Sequence, residues 1–220
     1  MLNNYLSKKV IVSAGILSFL FFFFGFFLIS FFGTAMLALL LLAFRKNRVL
    51  FRENPPTLSE GVLYSPVNGR VAEIRNSCKH KTFGEELTLI KIIIPPWKEM
   101  GVYLPFSSEV RDLVVENGKP YFRWSKQNVI EESVATPGLS ICLASPEGEQ
   151  IGLHIMRCVF GGWPEIAVMP GDRGKRQVNI GHIPFGGTLL LYLPPNYEIL
   201  ISEGDDVLAG ETLVAGLKEK

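Results

Sequence analysis

Few residues in this 220-residue chain are equipped for chemistry, and they are scattered. Imidazole is the side chain best suited to move protons near neutral pH, and the chain has three: His80, His154 and His182. His182, within Ile180-Gly181-His182-Ile183-Pro184, precedes the run Phe185-Gly186-Gly187-Thr188, whose threonine carries a hydroxyl. A base beside a hydroxyl is the starting arrangement of nucleophilic catalysis; the plainer reading is a hydrogen-bonded or surface histidine. His154 lies in the apolar run Leu153-His154-Ile155-Met156 and reads as buried and hydrogen-bonded. His80, between Lys79 and Lys81, reads as solvated loop. The histidines show no metal-ligand spacing, and no metal is expected. Cys78, Cys142 and Cys158 form no CxxC pair and no disulfide framework, so they read as small apolar residues in a reducing compartment. The loop Asp172-Arg173-Gly174-Lys175-Arg176 is either a solvated turn or a contact for anionic headgroups, and Trp163, in Gly161-Gly162-Trp163-Pro164, is either part of a tight turn or a lipid-facing aromatic.

The elements that must position these residues divide the chain in two. The 22 Lys and Arg against 21 Asp and Glu leave a charge of +1, which excludes a general nucleic-acid binder. Ten of the 16 phenylalanines fall between Val10 and Phe44, a stretch without one charged residue, flanked by Lys8 and Lys9 on one side and Arg45, Lys46 and Arg48 on the other. As one helix it would run about 52 Å against a hydrocarbon core of about 30 Å. Cations at both ends favour a tight helical hairpin, bent near Gly25, Ser30 or Gly33, with both ends on the cytoplasmic side; one long tilted or kinked helix is the alternative. Residues 1–45 are therefore expected to be a membrane anchor and 46–60 a linker, with Pro55-Pro56 in the stretch Arg52–Ser59.

Residues 61–220 are punctuated by turn signals: Asn68-Gly69, Asn117-Gly118, Pro146-Glu147-Gly148 and Pro170-Gly171-Asp172. Short β-rich runs lie between them, at Leu87–Ile94, Glu109–Val115, Gly152–Met156, Ile166–Met169, Leu189–Leu193 and Glu198–Ser202, and no helical period is sustained. The fold class is mainly β, a membrane helix or helical hairpin followed by an antiparallel barrel-sandwich-like domain. Residues 63–71 and 201–215 look like the two halves of a carrier-type β fold. A carrier needs a lysine at its hairpin tip, and Asn68-Gly69 supplies none.

Four segments, taken in order, carry a more specific resemblance. Leu50-Phe51-Arg52-Glu53-Asn54-Pro55 resembles an FFRDP segment, Ser65-Pro66-Val67-Asn68-Gly69-Arg70-Val71 an SPxDGxV segment, Phe185-Gly186-Gly187-Thr188 followed by Tyr192-Leu193-Pro194 an FGS(T/R) segment with its trailing YLP, and Gly204–Thr212 a terminal GxxVxAGET. Together they resemble the bacterial phosphatidylserine decarboxylase family. The resemblance implies a chain that cuts itself between Gly and Ser, the serine becoming a pyruvoyl group that acts as electron sink while phosphatidylserine loses carbon dioxide, assisted by a His and an Asp.

This chain departs from that pattern at each position. The serine falls on Gly187, after Gly186, and glycine has no hydroxyl; no pyruvoyl cofactor is expected. Thr188 has a hydroxyl one residue further on, and its use would leave a ketobutyryl end. The family's Asp-x-His segment falls on Lys98, Met100 and Tyr103, and the Asp of SPxDG on Asn68. Methionine holds no exchangeable proton, and tyrosine, with a pKa near 10, is a poor base. Glu99 is a candidate substitute, but strand alternation would put it on the face opposite Met100. The expected function is thus a non-catalytic, pyruvoyl-lacking homologue at the inner membrane, its β domain facing the cytoplasm. It would bind aminophospholipid through Trp163, Arg173, Lys175, Arg176 and His182, or regulate an active decarboxylase relative, with a homo-oligomer or that relative as its partner. The alternatives are an active decarboxylase making phosphatidylethanolamine by displaced cleavage at Thr188, and a membrane-anchored β adaptor unrelated to lipid chemistry.

Overall fold

The computed structural model describes residues 7–43, 61–117, 138–145, 148–156 and 162–218. The chain divides into two compact units, residues 1–48 and 49–220. In the first, α1 (Lys8–Phe23) opens at Ser7, whose hydroxyl accepts from the Val10 amide at 3.4 Å, and α2 (Phe27–Ala43) follows a turn of three residues. Gly25, at φ +80°, makes that turn, a conformation glycine adopts without a Cβ penalty. The helices fold back on one another through Ser18 and Ser30, whose hydroxyls each donate to the other's carbonyl at 3.1 and 2.9 Å, with Thr34 Oγ1 2.7 Å from Ser18 Oγ. The hairpin alternative therefore holds and the single long helix does not. Spanning about 24 and 26 Å, neither helix is long and apolar enough to cross a membrane. The large side chains of the pair point outward: Phe19, Phe23, Phe27, Phe31 and Phe32 are all more than half exposed.

The second unit, among its described residues, contains strands only. They are β1 (Val62–Tyr64), β2 (Gly69–His80), β3 (Gly84–Ile94), β4 (Gly101–Tyr103), β5 (Ser108–Glu116), β6 (Gly138–Ala144), β7 (Gln150–Met156), β8 (Glu165–Ile166), β9 (Arg173–Gly174), β10 (Asn179–His182), β11 (Gly187–Leu193), β12 (Tyr197–Ile199), β13 (Asp206–Val207) and β14 (Leu213–Leu217). All pairings are antiparallel. An eight-stranded sheet runs β13-β2-β3-β11-β7-β6-β5-β9, beside three-stranded sheets β1-β14-β12 and β4-β10-β8. The mainly β, antiparallel class read from the sequence is correct.

β11 sits mid-sheet between β3 and β7, and its largely apolar sequence follows from burial of both its faces. Leu189, Leu191 and Leu193 enter the large core with Ile90, Ile92, Ile94, Leu153 and Ile155. The alternate residues Leu190 and Tyr192 enter a smaller cluster on the other face with Cys78, Leu87, Leu89 and Met156.

Several local expectations need correction. Asn68-Gly69 is not a hairpin tip: β1 and β2 belong to different sheets, and Asn68 is buried. The expected strand Ile166–Met169 is cut to Glu165–Ile166 because a turn, closed by Asp172 N to Met169 O at 3.0 Å with Gly171 at φ +96°, begins there. Glu198–Ser202 shortens to Tyr197–Ile199. Residues 63–71 and 201–215, read as two halves of one β fold, are in contact: Val71 donates to Asp205 O at 2.8 Å, Ser65 to Thr212 O at 2.9 Å and Gly210 to Ser65 O at 2.8 Å. The FFRDP-like segment, the linker, Gly118, Pro146-Glu147, Cys158 and Gly161 lie outside the described residues.

Candidate functional site

The segment between β3 and β4 organises the site. Lys98 N donates to Pro95 O at 3.1 Å, so residues 95–98 form a turn, and strand alternation does not apply to Glu99 and Met100. The alternation expected to set them on opposite faces is therefore absent, and both are buried, Glu99 4% and Met100 0% exposed. The Glu99 carboxylate accepts from Asn68 Nδ2 at 2.7 Å and from the Tyr103 hydroxyl at 3.0 Å. Asn68 Oδ1 accepts from the Ala209 amide at 3.0 Å. A buried carboxylate is tolerable only with such donors around it. Just outside, Lys98 Nζ reaches Asp206 at 2.7 Å and Gly69 O at 3.3 Å; its hydrogen bond holds the Asp206 carboxyl below the usual range.

The segment leading into β11 runs alongside. Ile183 N donates to Met100 O at 2.9 Å, and Gly186 N to Ile183 O at 3.1 Å. Phe185 and Gly186 both have positive φ, +61° and +71°. A Cβ on Gly186 would stand 2.3 Å from Ile94 O, so only glycine fits; a Cβ on Gly187 would stand 2.9 Å from Ile183 Cγ2. A phenylalanine in the left-handed region is locally strained, and such strain persists only where surrounding structure imposes it. Gly187 faces the large core through Ile183. Thr188 is the next residue of the strand, so its side chain emerges on the other face with Leu190 and Tyr192. Thr188 is fully buried, and its hydroxyl has no hydrogen-bond partner.

A family model described as phosphatidylserine decarboxylase matches residues 39–215. The chain belongs to the phosphatidylserine decarboxylase family. Among curated proteins it is 28% identical over 172 residues to the phosphatidylserine decarboxylase proenzyme of Symbiobacterium thermophilum, covering 76% of each chain. It is 23% identical over 163 residues to that of Bacteroides fragilis, covering 73% of this chain and 68% of the relative. The proenzyme of Geotalea uraniireducens is 28% identical over 177 residues, 76% and 77% of the two chains.

The fold brings together the residues that the sequence resemblance singled out. Asn68 and Tyr103 both bond Glu99, Met100 lies beside them, and Gly186-Gly187 border the same segment through Ile183 and Pro95. The residues present do not fit a pyruvoyl group. Position 187 offers no hydroxyl, and its Cβ position is crowded by Ile183. The Thr188 hydroxyl points to the other face of the sheet.

The five residues expected to touch lipid do not form one patch. Trp163 is 38% exposed and its neighbour Gly162 donates to Pro184 O at 3.0 Å. His182 is buried in β10, its Nε2 3.8 Å from the Glu165 carboxylate. Arg173 bonds Glu109 at 2.8 Å, Lys175 is exposed, and Arg176 stacks on Tyr64 with its guanidinium 5.1 Å from the ring centre. Sequence reasoning passed over two further aromatics. Phe185 (44% exposed) follows Pro184, and Trp97 (72%) belongs to the turn beside Pro95, against which Gly186 packs. The backbone contacts Gly162–Pro184 and Gly186–Pro95 bring the chain segments that carry Trp163, Phe185 and Trp97 to the glycine turn. The available signal was three large aromatics, each next to proline or glycine.

Sequence reasoning also missed a polar cluster on the other face of the eight-stranded sheet. His154, buried as expected, shares a short hydrogen bond with Ser140 (Nδ1 to Oγ, 2.7 Å), and Ser140 Oγ donates to Glu116 Oε1 at 2.6 Å. His80 is no solvated loop residue: its ring stacks on Phe83 at 4.3 Å and lies 4.6 Å from Tyr192. Burial lowers the pKa of both imidazoles, His154 to about 4, against the opposing pull of Glu116. Burial also raises the Tyr192 hydroxyl and the Cys78 and Cys142 thiols.

Proposed function

We propose that this member of the phosphatidylserine decarboxylase family has lost the self-cleaving reaction and serves as a non-catalytic membrane subunit. It binds aminophospholipid or regulates an active relative, alone or as a homo-oligomer. The observation that carries this reading is the closed contact of Asn68 and Tyr103 with Glu99 next to a glycine at position 187. Asn68 and Tyr103, at positions the resemblance gives an assisting role, are both tied to Glu99, and no hydroxyl stands at position 187.

Membrane association is part of the proposal. The hairpin's outward phenylalanines suit insertion from one side, with Lys8 and the cations after Phe44 both left at the cytoplasmic surface of the inner membrane. Its serine and threonine hydroxyls are satisfied within the pair, as apolar surroundings require. Trp97, Trp163 and Phe185 are of the type that settles at a lipid interface, with Arg173 and Lys175 available to anionic headgroups.

One observation favours a second reading, displaced cleavage before Thr188. Its hydroxyl is buried without a partner, beside a strained turn. Intact-mass spectrometry of the purified chain separates the two. The expected result is one chain of 24.5 kDa with no hydrazine-reactive carbonyl, also for Gly187→Ser. Fragments split between Gly187 and Thr188 would establish the second reading instead. Flotation with vesicles rich in phosphatidylserine or phosphatidylethanolamine, against phosphatidylcholine alone, tests the lipid. Equal binding to all three would leave a membrane-held adaptor.

A further inference from the structure

The polar cluster on the second face of the eight-stranded sheet draws on four strands. His80 ends β2, Glu116 ends β5, Ser140 lies in β6 and His154 in β7. The cross-strand register sets Ser140 opposite His154 and Gly138 opposite Glu116. One ligand-type atom from each of His80, Glu116 and His154 lies within 4.8 Å of the others. Glu116 Oε1 is 3.9 Å from His80 Nε2 and 3.9 Å from His154 Nδ1. We propose that His80, Glu116 and His154 form a binding site for a divalent first-row transition ion, zinc foremost, with Ser140 or a water completing the coordination.

Two imidazoles and one carboxylate are a donor set that suits zinc. Bonds of about 2.1 Å in a tetrahedral site hold ligand atoms about 3.4 Å apart, so the two 3.9 Å separations need to close by about half an ångström. A rotation of the Glu116 side chain, at the end of its strand, supplies that, and the two imidazole nitrogens, within 4.8 Å of each other, draw together by a shift of the partly exposed His80 ring. Phe83 and Tyr192 flank the His80 ring. His154, 1% exposed, gives up the Nδ1 contact with Ser140 when the ion binds, and the Ser140 hydroxyl keeps Glu116 as its acceptor. The His80 and Glu116 side chains are 11% and 16% exposed, which leaves an entry for an ion from their side, with His154 at the base.

Loading carries a signature of its own. His80 Nδ1 accepts from the Thr82 amide at 3.2 Å, so the ring proton sits on Nε2, toward Glu116. Coordination through Nε2 requires that proton to move to Nδ1, and the Thr82 amide then loses its acceptor. His154 must likewise carry its proton on Nε2 and give Nδ1 to the ion. A hydrogen-bonded cluster without an ion keeps the Thr82 bond.

The test uses the full chain, stripped with a chelator and titrated with Zn²⁺ in competition with a chromogenic chelator, with the Thr82 amide followed by NMR. The expected result is one ion per chain, binding at least ten-fold weaker in His80→Gln and in Glu116→Gln, and a Thr82 resonance that shifts in the parent but not in these variants. Both substitutions are at partly exposed positions, and circular dichroism without metal checks their folding. His154→Gln is added as the buried ligand, read only if it folds. No zinc binding by the parent, or binding of equal strength in the two variants, would overturn the proposal. It stands independently of the lipid reading, since it concerns different residues on a different face.

Discussion

Asn68 shows how much one uncharged side chain decides. It donates to Glu99 and accepts from Ala209 N, two contacts that need an amide. Asn68→Asp, the change that would restore the family's carboxylate, sets two carboxylates against each other at about the 2.7 Å contact now made. One must then hold a proton, which raises its folded-state pKa above the unfolded value near 4. Stability is full below pH 4 and is lost as pH rises through the raised pKa, by about 2–4 kcal/mol at pH 7. Denaturant unfolding at pH 4 and pH 7 measures this, and Glu99→Gln in the same chain should remove the difference. His154 titrates in the opposite sense. Its folded pKa of about 4 lies below the ordinary 6.5, so the unfolded chain binds the proton first. Stability is therefore full above pH 6.5 and falls, by roughly 3 kcal/mol at most, as pH drops to 4. Glu116, His80 and Ser140 face it. His154→Gln, if it folds, should flatten the melting temperature against pH over that interval, after allowance for the smaller contribution of His80.

At the scale of elements, β11 and the turn before it set the terms. Gly186→Ala puts a methyl 2.3 Å from Ile94 O at a positive φ, a clash with backbone that cannot yield. It should cost at least about 2 kcal/mol. Gly187→Ala meets only the end of the Ile183 side chain and should cost about 1 kcal/mol, so thermal melts of the two variants should rank clearly. What the sequence disclosed here followed from periodicity and turn chemistry. The apolar run at Leu189–Leu193 marked a central strand, and Pro170-Gly171-Asp172 marked a turn. Asn68-Gly69 misled because a hairpin dipeptide reports local preference, whereas Asn68 is held by Glu99 and Ala209 from distant parts of the chain. Glu99 was placed by an alternation that a turn had already ended. His80, Glu116 and His154 come from three strands, and no spacing along a chain records that kind of meeting.

At the scale of the molecule, the charged β unit and the apolar hairpin are separate compact bodies. Removing residues 1–45 should therefore yield a fragment that stays in the supernatant after a high-salt wash. Sedimentation of that fragment with membranes would mean that the exposed aromatics Trp97, Trp163 and Phe185 carry more of the attachment than the hairpin does.

The contacts between residues 63–71 and 204–215 bear on the order of events during synthesis. Asn68 waits for Ala209, 141 residues later, and Ser65 and Val71 wait for partners in the same late segment. Contacts of such separation are slow to close and form only once both ends exist. During translation the apolar hairpin leaves the ribosome first, while the first strands of the β unit remain with unpaired edges. A nascent chain stalled before residue 204 should be far more sensitive to protease in its β unit than one released after residue 217, and more dependent on chaperones.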